Sequence, residues 1–234
     1  MARGSGRRRG ALARVVRGIW LFFLGVVALV VALTALWTVV PPVSTLMLAR
    51  YVTLQPVQRD YAPLDRMSPA LVAAVVLSED AGFCRHGGVD WQALGEVLED
   101  ADENGPARGA STIAMQVAKN LFLWPSRSAV RKGLEIPLAL ALDAVWSKRR
   151  ILEIYLNIAE WGPDGVFGAQ AASRARFGKS ARALTVHEAA LMARALPNPI
   201  LRNPARPSAG HARLAGRLAA RIGTAGPLLD CLDR

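Results

Sequence analysis

From Ile19 to Val40 the chain runs IWLFFLGVVALVVALTALWTVV, 22 residues without a charge. As a helix this stretch is about 33 Å long at ~1.5 Å per residue, enough for the ~30 Å hydrocarbon layer of a bilayer. Trp20 and Trp37 stand near its ends, where indole rings favour the membrane interface. Six arginines precede it and no further basic residue follows until Arg50. The positive-inside rule therefore predicts a cytoplasmic basic tail (1–18), a single transmembrane helix (19–40) and a body lying outside the cytoplasm. A cleaved signal peptide would have a shorter apolar region, about 7–15 residues. A buried core helix would show a polar face, and this segment has none.

The whole chain has 234 residues and a net charge of +11. Its excess charge sits at the ends. Residues 1–59 hold eight arginines and no acid, residues 200–234 carry +4, and the centre from 60 to 199 is close to neutral at −1. Nucleic-acid binding needs a basic patch on the folded domain, so no nucleic-acid partner is expected. Two cysteines, Cys84 and Cys231, exclude a disulfide scaffold. An exported body can oxidise them, but their spacing leaves the pairing open. With three histidines and no HExxH motif, no metal site is expected, and the chemistry falls to carboxylates.

Beyond a linker at 41–66, marked by Pro41, Pro42, Pro56 and Pro63, the apolar spacing is helical and the fold class is mainly α. Ser68-Pro69 starts one helix, Asp90 the next, and Ser111 or Thr112 a third. Ser126 or Ser128 opens a fourth, in which Pro137 predicts a kink just after Glu135. KRRILEIYLNIAEW follows, and Thr185 caps the helix that stops at Pro197. Residues 67–200 form the expected domain and 201–234 a basic helical extension. The polar segment EDADENGPARG (99–109) is expected to be a mobile loop, and a lid over the site.

Several side chains are placed for chemistry. Glu79 and Asp80 end an apolar helix, where partial desolvation raises a carboxyl pKa and suits a general base; the other reading is a pair of solvated helix-end charges. Gln116, Lys119 and Asn120 share one helix face, either converging on a ligand or forming a polar solvent face. Ahead of them, Gly109-Ala110-Ser111-Thr112 offers free N–H groups and hydroxyls to an anion. Arg131 and Glu135 stand four apart, as a functional pair or an ordinary surface one. His86, between polar residues and glycines, reads as structural from its surroundings alone. Leu121-Phe122-Leu123-Trp124 suits a core or a bilayer surface equally.

In this order, the elements resemble the peptidoglycan glycosyltransferase family, the lysozyme-like transglycosylases, over about residues 60–200. The family pattern ED-x-x-F-x-x-H-x-G matches Glu79, Asp80, Phe83, His86 and Gly88. A second, G-x-S-T-I-x-Q-Q-x-x-K-N, matches Gly109, Ser111, Thr112, Ile113, Gln116, Lys119 and Asn120, departing at Met115 where a glutamine is usual. R-K-x-x-E matches Arg131, Lys132 and Glu135; K-x-x-I-L-E-x-Y-L-N matches Lys148, Ile151, Leu152, Glu153, Tyr155, Leu156 and Asn157. The last matches Glu188 to Leu191 and Pro197 to Pro199. Only 35 residues follow Pro199, too few for a transpeptidase domain, which is similar to the monofunctional members.

The resemblance implies a lysozyme-like glycosyltransferase domain behind the membrane helix, polymerising lipid II at the outer face of the inner membrane with release of undecaprenyl diphosphate. It implies catalytic roles for Glu79, as base toward the GlcNAc 4-hydroxyl, and for Glu135, which orients or assists the donor diphosphate. Asp80, Phe83, His86, Ser111, Thr112, Gln116, Lys119, Asn120, Arg131 and Lys132 are the implied substrate-binding residues. Cations would stabilise the departing diphosphate in an inverting displacement, with a divalent ion (Mg or Mn) as a candidate helper. Implied partners are lipid II, the growing lipid-linked glycan, the membrane, and proteins of wall synthesis or division. Two rivals stand beside this reading: a lysozyme-like glycan-cleaving enzyme, which needs no pyrophosphate site, and an inactive membrane-tethered scaffold.

Overall fold

An apolar run needs a single unbroken helix to satisfy its backbone in lipid, and α1 (Gly4–Leu36) is one. The computed structural model describes residues 4–104, 111–126 and 128–233. The chain divides into two compact units, Met1–Val40 and Pro41–Arg234. In the first, 25 residues (Leu12–Leu36) are long and apolar enough to cross a membrane, and almost none of that surface is buried. The helix begins earlier and ends sooner than the expected 19–40. Its last residues, Trp37 to Val40, close as turns, because Val40 precedes Pro41 and a pre-proline residue leaves the α region.

In the second unit the expected linker is corrected. Residues 41–66 are part of the fold and contain α2 (Thr45–Val52), β1 (Gln58–Arg59) and a 3-10 turn at Leu64–Arg66. Met47 is fully buried and Leu64 nearly so. The prolines that signal a linker here shape a chain pinned by side chains distant in sequence. Asn157 accepts from the Ala62 N–H at 2.9 Å and donates to the Ala62 carbonyl at 2.8 Å. Glu153 accepts from Tyr61 at 2.6 Å and from the Leu64 N–H at 2.9 Å.

The core helix is α3 (Pro69–Glu79), with proline in its first turn and Leu71 to Leu77 all buried. Apolar on every side, it can exist only surrounded, each buried leucine or valine contributing roughly 1.5–3 kcal/mol. The helices α9 (Val186–Ala195) and α10 (Ala209–Ile222) pack against it. On the other side of the sequence lie α4 (Trp91–Asn104), α5 (Ile113–Phe122), α6 (Ala129–Val145) and α7 (Lys148–Ile158). The α5 helix packs on both α6 and α7. Thr112 and Ser128, not Ser111 or Ser126, are the caps that accept helix N–H groups, and Thr185 forms a full capping box with Glu188.

Short strands β2 (Glu160–Gly162) and β3 (Val166–Phe167) join β1 in the order β1-β3-β2, parallel at β1–β3 and antiparallel at β2–β3. Next comes α8 (Ala169–Phe177). The expected loop at 99–109 is corrected in its first part, since α4 continues to Asn104; residues 105–109 lie outside the described residues. Helix α6 runs through Pro137 unbroken. The segment after residue 200 is no appendage. Its helix α10 covers α3 and α9, and Cys231 is bonded to Cys84 with their Cα atoms 5.5 Å apart.

Candidate active site

Helix α3 ends at Glu79, and Asp80 turns away from it with extended φ. Asp80 is buried; its Oδ2 accepts the Ile113 N–H at 2.9 Å and its Oδ1 meets His86 Nε2 at 2.9 Å. The Thr112 hydroxyl donates to the Gly88 carbonyl at 2.6 Å while accepting the Met115 N–H. Gly88 has φ +82°, and a Cβ there would lie 2.6 Å from the Ala139 carbonyl oxygen, so only glycine fits. Lys148 completes the framework: its Nζ reaches the His86 carbonyl at 2.6 Å and sits 4.9 Å from the Phe83 ring centre.

These contacts correct one sequence-based role. Phe83 is fully buried, so it packs the loop under the site instead of touching substrate. Asp80 and Thr112 bond helix ends and the 81–88 loop, and both also line the cavity beside Glu79. His86 is held by Asp80 on one nitrogen. Together they fix the end of α3 against the start of α5.

That junction brings Glu79 onto Gln116, whose Nε2 donates to Glu79 Oε2 at 3.2 Å. Burial pushes the Glu79 carboxyl above its ordinary range, with Gln116, Arg194, Ser78 and Lys119 pulling the other way. Lys119, one turn further along α5, is lowered by burial and by the Arg131 charge, and raised by Glu79. Arg131 and Lys132 enter from the first turn of α6. Lys132 Nζ lies 2.5 Å from Ser111 Oγ and 2.9 Å from Glu135 Oε2, and Arg131 bonds the other Glu135 oxygen. Burial and the Arg131 and Lys119 charges push the Lys132 ammonium down to about 8. Glu135 itself is buried beneath the two cations.

Two cavities flank this set. One, about 320 Å³, is lined by Glu79, Ser111, Arg85 and Asp90. The other, about 480 Å³, is lined by Lys119, Asn120, Arg131, Trp124 and Thr45. Glu79 thus opens on one space and the Lys119 and Arg131 cations on another. Of the LFLW run, Leu121 and Leu123 are core and Trp124 is exposed at the second cavity. The described residues contain no group of three or more metal-ligating side chains, and cations occupy both Glu135 oxygens. This donor set does not fit a protein-held divalent ion.

The family model described as Transglycosylase matches residues 46–222, from α2 to the last residue of α10. The chain belongs to this family. It is 56% identical over 193 residues to a biosynthetic peptidoglycan transglycosylase of Brucella suis biovar 1 (strain 1330), covering 82% of this chain and 86% of the relative. A protein of the same name from Nitrobacter winogradskyi is 53% identical over 210 residues, covering 90% and 93%. One from Agrobacterium fabrum is 53% identical over 191 residues, covering 82% and 84%.

Two groups at the site lie outside the expected site residues, although Tyr155 stands in the matched K-x-x-I-L-E-x-Y-L-N pattern. Arg194, near the end of α9, donates to Ser78 Oγ at 3.3 Å and acts on Glu79 by its charge. Tyr155 donates to Gln116 Oε1 at 3.1 Å, and burial raises its phenol well above the ordinary value. Neither position carries a local signal of this role, because each reaches Glu79 from a helix distant in sequence.

Proposed function

We propose that this transglycosylase polymerises lipid II into β-1,4 glycan strands and releases undecaprenyl diphosphate, by inverting single displacement. The observation that carries the reading is the half-buried Glu79 carboxyl, raised in pKa by desolvation and held on Gln116, in electrostatic contact with Lys119. Glu79 takes the proton from the acceptor hydroxyl, and the freed oxygen attacks the donor's anomeric carbon. Negative charge then builds on the leaving diphosphate. Lys119, Arg131 and Lys132 answer that charge, with Glu135 holding the last two in place. A glycan-cleaving enzyme has no use for three converging cations.

Membrane anchoring by α1, with the N-terminus in the cytoplasm and the Pro41–Arg234 unit at the outer face of the inner membrane, is part of the proposal. It brings the enzyme into the leaflet that holds both lipid-tailed substrates. Wall-synthesis and division proteins are the partner class we expect there.

The test gives the purified full chain either lipid II or preformed glycan. Consumption of lipid II, lost ~10²-fold or more in Glu79→Gln with the fold intact, is the expected result. Cleavage of preformed glycan, or full polymerisation by the variant, overturns it.

A further inference from the structure

The Glu79 carboxylate is gripped from two sides. On one, Tyr155 donates to Gln116 and Gln116 to Oε2. On the other, Arg194 Nη1 donates to Ser78 Oγ at 3.3 Å, and the Ser78 hydroxyl lies 3.5 Å from Glu79 Oε1. An arginine in the last turn of a helix ordinarily faces its own helix's free carbonyls. Here the Arg194 carbonyl is taken instead by Arg202 Nη1 at 2.9 Å, and the Arg194 guanidinium reaches across to α3. Its Nε is buried and has no hydrogen-bond acceptor among the described residues. A buried guanidinium left partly unsatisfied is costly unless a nearby negative charge offsets it.

We propose that Arg194 is a positioning residue for the general base: through Ser78 it orients the Glu79 carboxylate, and across the α3–α9 contact it supplies that group with a permanent positive charge. The proposal rests on the lipid II reading above. The groups facing Glu79 are Gln116 and Lys119 from α5, Tyr155 from α7 and Arg194 from α9. Helix α10, also packed on α3, contributes His211, whose Nε2 is engaged 2.8 Å from the Leu191 carbonyl oxygen. Arg194 differs from Lys119 in one respect that matters. Lys119 is itself pulled toward neutrality by burial and Arg131, whereas a guanidinium keeps its charge throughout the working pH range. Removing Arg194 therefore takes away the charge that counters burial of the base, and the base becomes harder to ionise.

The experiment measures kcat and KM for lipid II across about pH 5.5–8.5 for the full chain and for Arg194→Met, Arg194→Lys and Ser78→Ala. The acid limb of kcat/KM is expected to move up in Arg194→Met by roughly one pH unit. Activity then falls most at the acid end of the range, and the deficit closes as pH rises above the limb. KM stays within about twofold, Arg194→Lys recovers most of the shift, and Ser78→Ala shows a smaller one in the same direction. A deficit constant across pH, or a raised KM with an unmoved limb, overturns the proposal. Carbon-13 titration of Glu79 in the same proteins gives a readout free of turnover: its midpoint must rise in Arg194→Met, and an unchanged midpoint is equally fatal. Should Arg194→Met fail to fold, the lysine and Ser78 variants carry the test. A wild type that leaves lipid II untouched refutes the underlying reading, while the titration still decides the role of Arg194.

Discussion

Gln116 Nε2 donates to Glu79 Oε2 at 3.2 Å, tying the end of α3 to the middle of α5 across 37 positions of sequence. The same amide accepts from Tyr155, so it has one orientation in which both bonds form. Replacing it by leucine removes the donor from Glu79 and the acceptor from a buried phenol. Gln116→Leu is expected to lower kcat about tenfold or more with KM changed less than about threefold. Steady-state polymerisation at fixed pH measures both.

The two glutamates of the site carry opposite signs in stability. Glu79 has a raised folded pKa, so its contribution to folding is full at low pH and is lost as pH rises through that value. At neutral pH its charge is a cost. Glu79→Gln should therefore gain about 0.5–2 kcal/mol while losing activity. Glu135 is buried between Arg131 and Lys132, and Glu135→Gln strands both cations. A loss of about 3 kcal/mol is expected there. Urea unfolding of the two variants at neutral pH compares them directly, and shifts of the same sign would contradict this account.

Lys132 titrates at about 8, within the range where the enzyme can be assayed. As pH rises through that value the ammonium loses its proton, and one of the three cations proposed to answer the diphosphate charge disappears. Polymerisation should accordingly fall on an alkaline limb near pH 8. Lys132→Arg, which does not titrate there, should push that limb upward by about one unit or more. A pH profile of the pair tests it; coincident alkaline limbs would assign the loss elsewhere.

The Cys84–Cys231 bond closes a loop of 147 positions between the 81–88 loop and the C-terminal segment. The chain-entropy account gives up to about 5 kcal/mol for a closure of this length. A Cys84→Ser, Cys231→Ser double variant should unfold at clearly lower urea concentration, and reduced wild type should follow it. Equal midpoints for oxidised and reduced protein would show the bond to be energetically idle.

Local chemistry made much of this legible from sequence. An uncharged run of 22 residues can satisfy its backbone only as a helix, and Ser68-Pro69, Asp90 and Thr185 announce helix starts because caps are short-range events. Glu79, Gln116, Lys119, Arg131, Lys132 and Glu135 were likewise named from spacing and resemblance before any geometry. What spacing cannot encode is which buried atom meets which. The prolines of 41–66 read as a linker until Asn157 and Glu153, about 90 positions away, bond Tyr61, Ala62 and Leu64. Phe83 has the residue type of a binding site, yet packing buries it fully under the 81–88 loop. Arg194 and Tyr155 join the base only because α9 and α7 deliver them there. Helix starts and membrane length are set by neighbours within a few positions and so belong to the sequence. The protonation of Glu79 depends on burial and on charges from two other helices, and only the tertiary structure decides those.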